Sequence, residues 1–175
     1  MKTEDCSIQL LGLKNGSHQF FYDLDDAFFS SFDNPDILSG AVNAVVNIEK
    51  SPIQYDFSVS LNGELVTVCD RCLDPLTVPI ENHEEFILRF GAETNLDDED
   101  LITLSEDESV FNIAERLFEM AVVALPLVKT HPEGKCNPEM TAILESHSTQ
   151  NNNTETSGDP RWDALRKIST NNSKN

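Results

Sequence analysis

Between residues 39 and 61 the chain alternates between apolar and polar positions. In SGAVNAVVNIEKS (39–51), Val42, Ala44, Val46 and Ile48 alternate with Ala41, Asn43, Val45, Asn47 and Glu49, the period of a half-buried strand. IQYDFSVSL (53–61) repeats the pattern, with Ile53, Tyr55, Phe57, Val59 and Leu61 on one face. Asn62-Gly63 is a dipeptide that closes tight hairpins, and predicts a turn into ELVTV (64–68). After Cys69-x-x-Cys72, LTVPIENHEEFILRF (76–90) runs back as a strand. Near the start, SIQLLGL (7–13) and HQFFYDL (18–24) are strand-like and are joined by Asn15-Gly16, which predicts another hairpin. The result is an antiparallel meander of at least four strands, turning at Ser51-Pro52, Asn62-Gly63 and the cysteine pair. Nothing recurs at a period of about 20–50 residues, so a solenoid is excluded.

Helical signals are fewer. DDAFFSSF (25–32) reads as a short helical or irregular link. SVFNIAERLFEMAVVALPL (109–127) places Ile113, Leu117, Met120, Ala121 and Ala124 at three-and-four spacing, and Pro126 ends the regularity. This helix is expected to lie across one sheet face, with its Met and Phe in the core. KTHPEGKCNPEM (129–140) is a turn-rich loop, and NPEMTAILESH (137–147) a short helix with Pro138 in its first turn. STQNNNTETSG (148–158) has no apolar anchors and is expected to be disordered. In DPRWDALRKI (159–168) Asp159 can cap, Pro160 suits the first position, and Trp162, Leu165 and Ile168 share a face. The expected class is α+β: one domain over 1–147, a polar linker over 148–158, an amphipathic helix over 159–168 and a tail over 169–175.

Charge changes the picture. The net charge is −19, which repels a phosphate backbone unless basic residues cluster and attracts basic partners; it also keeps a protein soluble. From Glu93 to Glu108 the segment holds eight carboxylates and no Lys or Arg, as in a solvated loop, although LITL (101–104) can pair as an edge strand. The N-terminus carries Glu4 and Asp5 where a signal peptide would be basic. No apolar run approaches the ~20 residues that span a bilayer. A cytoplasmic protein is expected, with no membrane partner.

Four cysteines in such a chain favour thiols or metal ligands over a disulfide framework. Redox chemistry of the thioredoxin kind needs the cysteine pair at the start of a helix, and here Leu73-Asp74-Pro75 and a strand follow Cys72. A zinc site needs two further ligands. His131 and Cys136 in the later loop can complete a Cys3His set with Cys69 and Cys72, and Cys6 can replace one of them. Zinc and unmetallated thiols both remain open. No Gly-x-Ser-x-Gly elbow, Gly-rich phosphate loop or paired histidine base is readable, so catalysis is not expected.

Three segments resemble the YceD-like family, the large ribosomal RNA subunit accumulation proteins (domain of unknown function 177). VTVCDRCLDPLTVPI is similar to the family's strand, C-x-R-C-L-x-P turn and returning strand; VALPLVKTHPEGKCNPEM to its "LALP" helix end and Cys-bearing loop; DPRWDALRKI to its D-P-R-W-x-x-L-x-x-L ending. With the meander and acidic loop the likeness covers roughly residues 5–168, and His131-Pro132 with a single following cysteine resembles the Bacteroidetes branch. The resemblance implies a role in accumulation or maturation of 23S ribosomal RNA and the large subunit, by binding rather than catalysis. Two partners fit. One is the 23S precursor, with Arg71, Arg89, Lys129, Lys135, Arg161, Arg166 and Lys167 as its basic contacts, and Trp162 as a contact to RNA or another partner. The other is a basic large-subunit ribosomal protein, held by the acidic bulk. A zinc-stabilised interaction domain of another role is the remaining alternative.

Overall fold

A computed structural model describes residues 3–96 and 100–148 of the chain. The chain divides into two compact units, Met1–Thr141 and Ala142–Asn175; the sheets and the site described below belong to the first. The linker beyond Ser148, the amphipathic segment 159–168 and the tail 169–175 lie outside the described residues.

After a 3-10 turn (Thr3–Cys6), the elements run β1 (Ser7–Gln9), β2 (Gly16–Leu24), α1 (Asp26–Ser30), β3 (Ile37–Lys50), β4 (Tyr55–Val68) and β5 (Pro75–Gly91). Then follow β6 (Leu101–Ser105), β7 (Val110–Asn112), α2 (Ala114–Val123) and α3 (Pro138–His147). A five-stranded sheet has the order β2-β3-β4-β5-β6, and β1 pairs with β7 in a second, two-stranded sheet. The β2–β5 run is the expected antiparallel meander. β6 is the edge strand anticipated over LITL, but it runs parallel to β5. Its outer side is partly taken by Asn95, which exchanges backbone hydrogen bonds with Thr103.

The alternation in β3 and β4 assigns faces as read. Val42, Ala44, Val46 and Ile48 are buried, as are Tyr55, Phe57, Val59 and Leu61. The inner face is completed by Phe86 and Leu88 of β5, by Phe28 and Phe29 of α1, and by Ile113, Leu117, Met120 and Ala121 around α2. Phe57 stacks on Phe86 with ring centroids 4.6 Å apart, and Phe32 on Phe118 at 4.1 Å. Burying side chains of this size contributes about 1.5–3 kcal/mol each relative to leaving them exposed.

Several local expectations are corrected. Asn62-Gly63 is not a turn: β4 runs through it, and Gly63 sits between Val42 and Ile80. A Cβ there would lie 2.3 Å from the Ala41 carbonyl oxygen, so the glycine permits a close backbone approach. Residues 7–13 do not form a hairpin with β2, because β1 pairs with β7 and buries Ile8 against the core. The carbonyls of the intervening bend find side-chain donors instead. Tyr55 Oη donates to Leu10 O at 3.2 Å and Lys50 Nζ to Leu13 O at 2.8 Å. The segment 109–127 is not helical throughout. Val110–Asn112 is β7, and Asn112 Oδ1 accepts from the Ala114 backbone N–H at 2.9 Å, which turns strand into helix. Ile53 is solvent-exposed in the turn before β4 rather than on its inner face.

Candidate metal centre

The inner-face register of β4 continues past its last residue. Leu65 and Thr67 are buried, and so is Cys69, which lies two positions further along the same face. There the chain closes a tight knuckle. Leu73 N–H donates to Cys69 O at 2.9 Å, Cys69 N–H donates to Asp74 O at 2.9 Å, and Leu73 takes φ +63°. This turn brings Cys72 beside Cys69 and starts β5 at Pro75.

The second pair arrives on the loop after α2. That loop is tied to the knuckle by two hydrogen bonds: Asp70 N–H to Lys129 O at 2.7 Å, and Lys129 N–H to Asp70 Oδ2 at 2.6 Å. Between His131 and Cys136 the chain reverses, with Lys135 N–H donating to Pro132 O at 3.0 Å and Gly134 at φ +77°, a conformation glycine adopts without cost. Cys136 is then fixed at the entrance of α3, where Asn137 Oδ1 accepts from Glu139 N–H at 3.0 Å.

As a result one ligand atom from each of Cys69, Cys72, His131 and Cys136 lies within 4.8 Å of all the others. A tetrahedral zinc with Zn–S bonds of about 2.3 Å has ligand atoms about 3.8 Å apart, so a small closure suffices. His131 is oriented for this. Its Nε2 donates to Pro75 O at 3.2 Å and its Nδ1 lies 3.4 Å from Cys72 Sγ, so the lone pair of Nδ1 faces the sulphurs. Cys6 is not among the four; it is buried in the core under α2, and its carbonyl accepts from Ile113 N–H at 3.1 Å.

The electrostatics favour a cation. Burial pushes the Cys69 thiol up, but backbone N–H groups of Cys72, Arg71 and His131 outweigh it and bring the thiol to about 6. Hydrogen bonding to Cys69 raises the His131 imidazole, while burial and then the neighbouring Cys72 and Cys69 raise the Cys136 thiol. The Cys69 thiol is lowered and the His131 imidazole raised, as in a thiolate facing an imidazolium, and a bound divalent cation would replace the proton between them. The donor set fits zinc, and all four positions come from the chain, as in structural rather than catalytic centres.

The residues read as contact candidates are distributed. Arg71 is exposed at the tip of the knuckle, with Lys129 and Lys135 on the loop tied to it. Exposed Leu73, Leu127 and Val128 belong to the same knuckle and loop. Arg89 is exposed near the opposite end of β5, so it does not join Arg71. Arg161, Trp162 and Arg166 lie outside the described residues. Asp70 and Pro75 were not singled out from the sequence: the first bridges to a backbone and the second contributes only its carbonyl.

No helix among the described residues is long and apolar enough to cross a membrane. No curated protein and no solved structure matches the chain. The model of the family described as "Large ribosomal RNA subunit accumulation protein YceD" matches residues 57–169. That span is more than half of the chain and takes in nearly all of β4, the knuckle, α2 and the second loop. The chain carrying this Cys3His knuckle belongs to the YceD family.

Proposed function

We propose that the protein is a cytoplasmic biogenesis factor that supports accumulation or maturation of 23S ribosomal RNA and the large subunit by binding, not by catalysis. The observation that carries this reading is the family match, whose description names large ribosomal RNA subunit accumulation. The geometry supports a binding role. With zinc in place, a closed Cys3His centre leaves no position for substrate, and it stiffens a surface that carries Arg71, Lys129 and Lys135. Cations held on a rigid turn can meet consecutive phosphates without the ordering cost that a free loop incurs.

The net charge of −19 favours a second reading in which the chain holds a basic large-subunit ribosomal protein. The two are compatible if they use different surfaces. Loss of the gene tests the shared premise: large-subunit RNA should fall relative to small-subunit RNA, and an unchanged ratio defeats both readings. Binding of purified protein to 23S fragments and to isolated large-subunit proteins then separates them.

A further inference from the structure

The outer face of the five-stranded sheet has no described element packed on it. Helices α1 and α2 pack on the inner face. Every outward side chain of β3 from 41 to 49, and of β4 from 56 to 64, keeps solvent access. Glu49, Asp56, Glu64, Glu81 and Glu85 project from this face, and Arg89 is its only Lys or Arg among the described residues of the five strands.

Two of these carboxylates are placed against their own stability. Glu49 and Asp56 are direct cross-strand partners, and like charges in that position destabilise a sheet. The side chains that donate to them are uncharged: Ser17 to Glu49, and Gln54 Nε2 to Asp56 at 2.5 Å. Glu85 stands on β5 opposite Ser58, diagonal to Asp56. These three, with Asp100, line an open groove of about 750 Å3 that has no Lys or Arg among the described residues of its wall. Ile87, Asp56's partner on β5, also lines the groove.

The carboxylates do not converge on an ion. Among the described residues the cysteine–histidine set is the group close enough to hold one. Instead they are spread over neighbouring strands, about 4.8 Å apart across the sheet and about 7 Å between alternate residues along it. That spacing suits a ligand with several cations on an extended backbone. Exposed Phe21, paired with Val45 on the same face, adds an aromatic surface for an arginine plane or a lysine stem. His83 Nε2 lies 3.5 Å from Glu85 Oε1, but the face still presents net like charge to a nucleic acid.

We propose that this face is a docking surface for an extended Lys/Arg-rich protein segment, separate from the knuckle. The sign and the spacing of the charges come from the sheet itself. The assignment of the segment to a basic large-subunit protein rests on the proposed function; the existence of the surface does not.

The test uses the full chain loaded with zinc and a fluorescein-labelled peptide of about twenty residues alternating Lys or Arg with Ala, followed by anisotropy at about 0.1 M salt. The combined variant Glu49→Gln, Asp56→Asn, Glu85→Gln should weaken binding about tenfold or more. A charge-matched control, Glu4→Gln, Glu115→Gln, Glu139→Gln, changes exposed carboxylates carried by helices and turns rather than by this face; it should weaken binding less than about threefold, the part owed to net charge alone. Equal losses in the two variants, or no peptide binding by the wild type, would overturn the proposal. Thermal melts of both variants guard against unfolding, and the face variant should melt no lower than wild type because it relieves the Glu49–Asp56 repulsion. Binding of 23S fragments is measured on the same proteins. Its loss across all of them would sink the RNA reading while leaving this surface standing.

Discussion

His131 and Pro75 are joined across two loops: the imidazole Nε2 donates to the Pro75 carbonyl at 3.2 Å, and the other ring nitrogen is turned toward Cys72. A backbone acceptor at the start of β5 thus sets which nitrogen can take a metal. Protein purified without chelator should carry about one zinc per chain by elemental analysis. Cys72→Ala and His131→Ala should abolish stoichiometric zinc and lower stability by at least about 2 kcal/mol, or roughly 5 °C in Tm. Wild-type protein without zinc, its melting temperature indifferent to chelator, would show the four residues to be plain thiols and a histidine.

How much of this was legible is uneven. The inner faces of β3 and β4 could be read because one side of each is buried, so alternation survives in the residue types at 42–48 and 55–61. The Asn62-Gly63 dipeptide misled, since glycine serves equally where a chain turns and where two backbones crowd; only the Ala41 carbonyl beside it decides. The ligands were legible as residue types, but Cys72 and His131 are 59 positions apart, and nothing local states that α2 returns the chain to the knuckle. The Asp70–Lys129 and His131–Pro75 contacts each use a backbone partner, and a backbone group has no signature in sequence.

Cys6 supplies a pH test away from the metal. Burial, then the charge of Asp5, pushes its thiol up to about 11, and burial raises the Tyr22 hydroxyl to about 12. A raised folded-state value means that the native state keeps its proton where the unfolded chain has lost it. The Cys6 contribution is therefore complete below about pH 9 and disappears as pH rises to about 11, with a ceiling of about 2–3 kcal/mol. Urea denaturation should show stability falling across that window. In Cys6→Ala the protein should be less stable at neutral pH, through lost packing, and its alkaline decline shallower. An equally steep decline would assign the effect elsewhere.

Gly63→Ala should be among the more damaging small substitutions. The added carbon would meet Ala41 O at 2.3 Å and Val42 Cα at 2.6 Å; both are backbone atoms in the middle of the sheet and cannot rotate away. A loss of about 2–4 kcal/mol is expected, read as a lower urea midpoint with an unchanged slope. A cost below about 1 kcal/mol would mean that β3 and β4 separate easily at this point.

Thr67 points the other way. It is fully buried two positions before Cys69, and its Oγ1 has no hydrogen-bond partner among the described residues. Leaving such a hydroxyl unsatisfied costs about 1–3 kcal/mol. Thr67→Val keeps the shape and removes the polar atom, so it should stabilise the protein by about 1 kcal/mol without changing zinc content. Destabilisation by the same amount would indicate that the hydroxyl is satisfied in solution.

The knuckle reading of RNA contact is decided by the separation of Arg71 from Arg89. If phosphates are met at the metal end, Arg71→Ala and Lys129→Ala should each weaken binding to 23S fragments across all sequences and reduce the log–log salt slope by about 1. Arg89→Ala, near the other end of β5, should do neither. Zinc removal should weaken affinity as Arg71→Ala and Lys129→Ala do but leave the salt slope unchanged, because it loosens the turn and keeps its charges in place. The measurement is filter binding over a salt series for the three variants and the chelated protein. An Arg89→Ala loss equal to that of Arg71→Ala would show that RNA follows β5 along its length. Indifference to all four changes would remove RNA from the partners of this surface and leave the acidic sheet face as the surface that works.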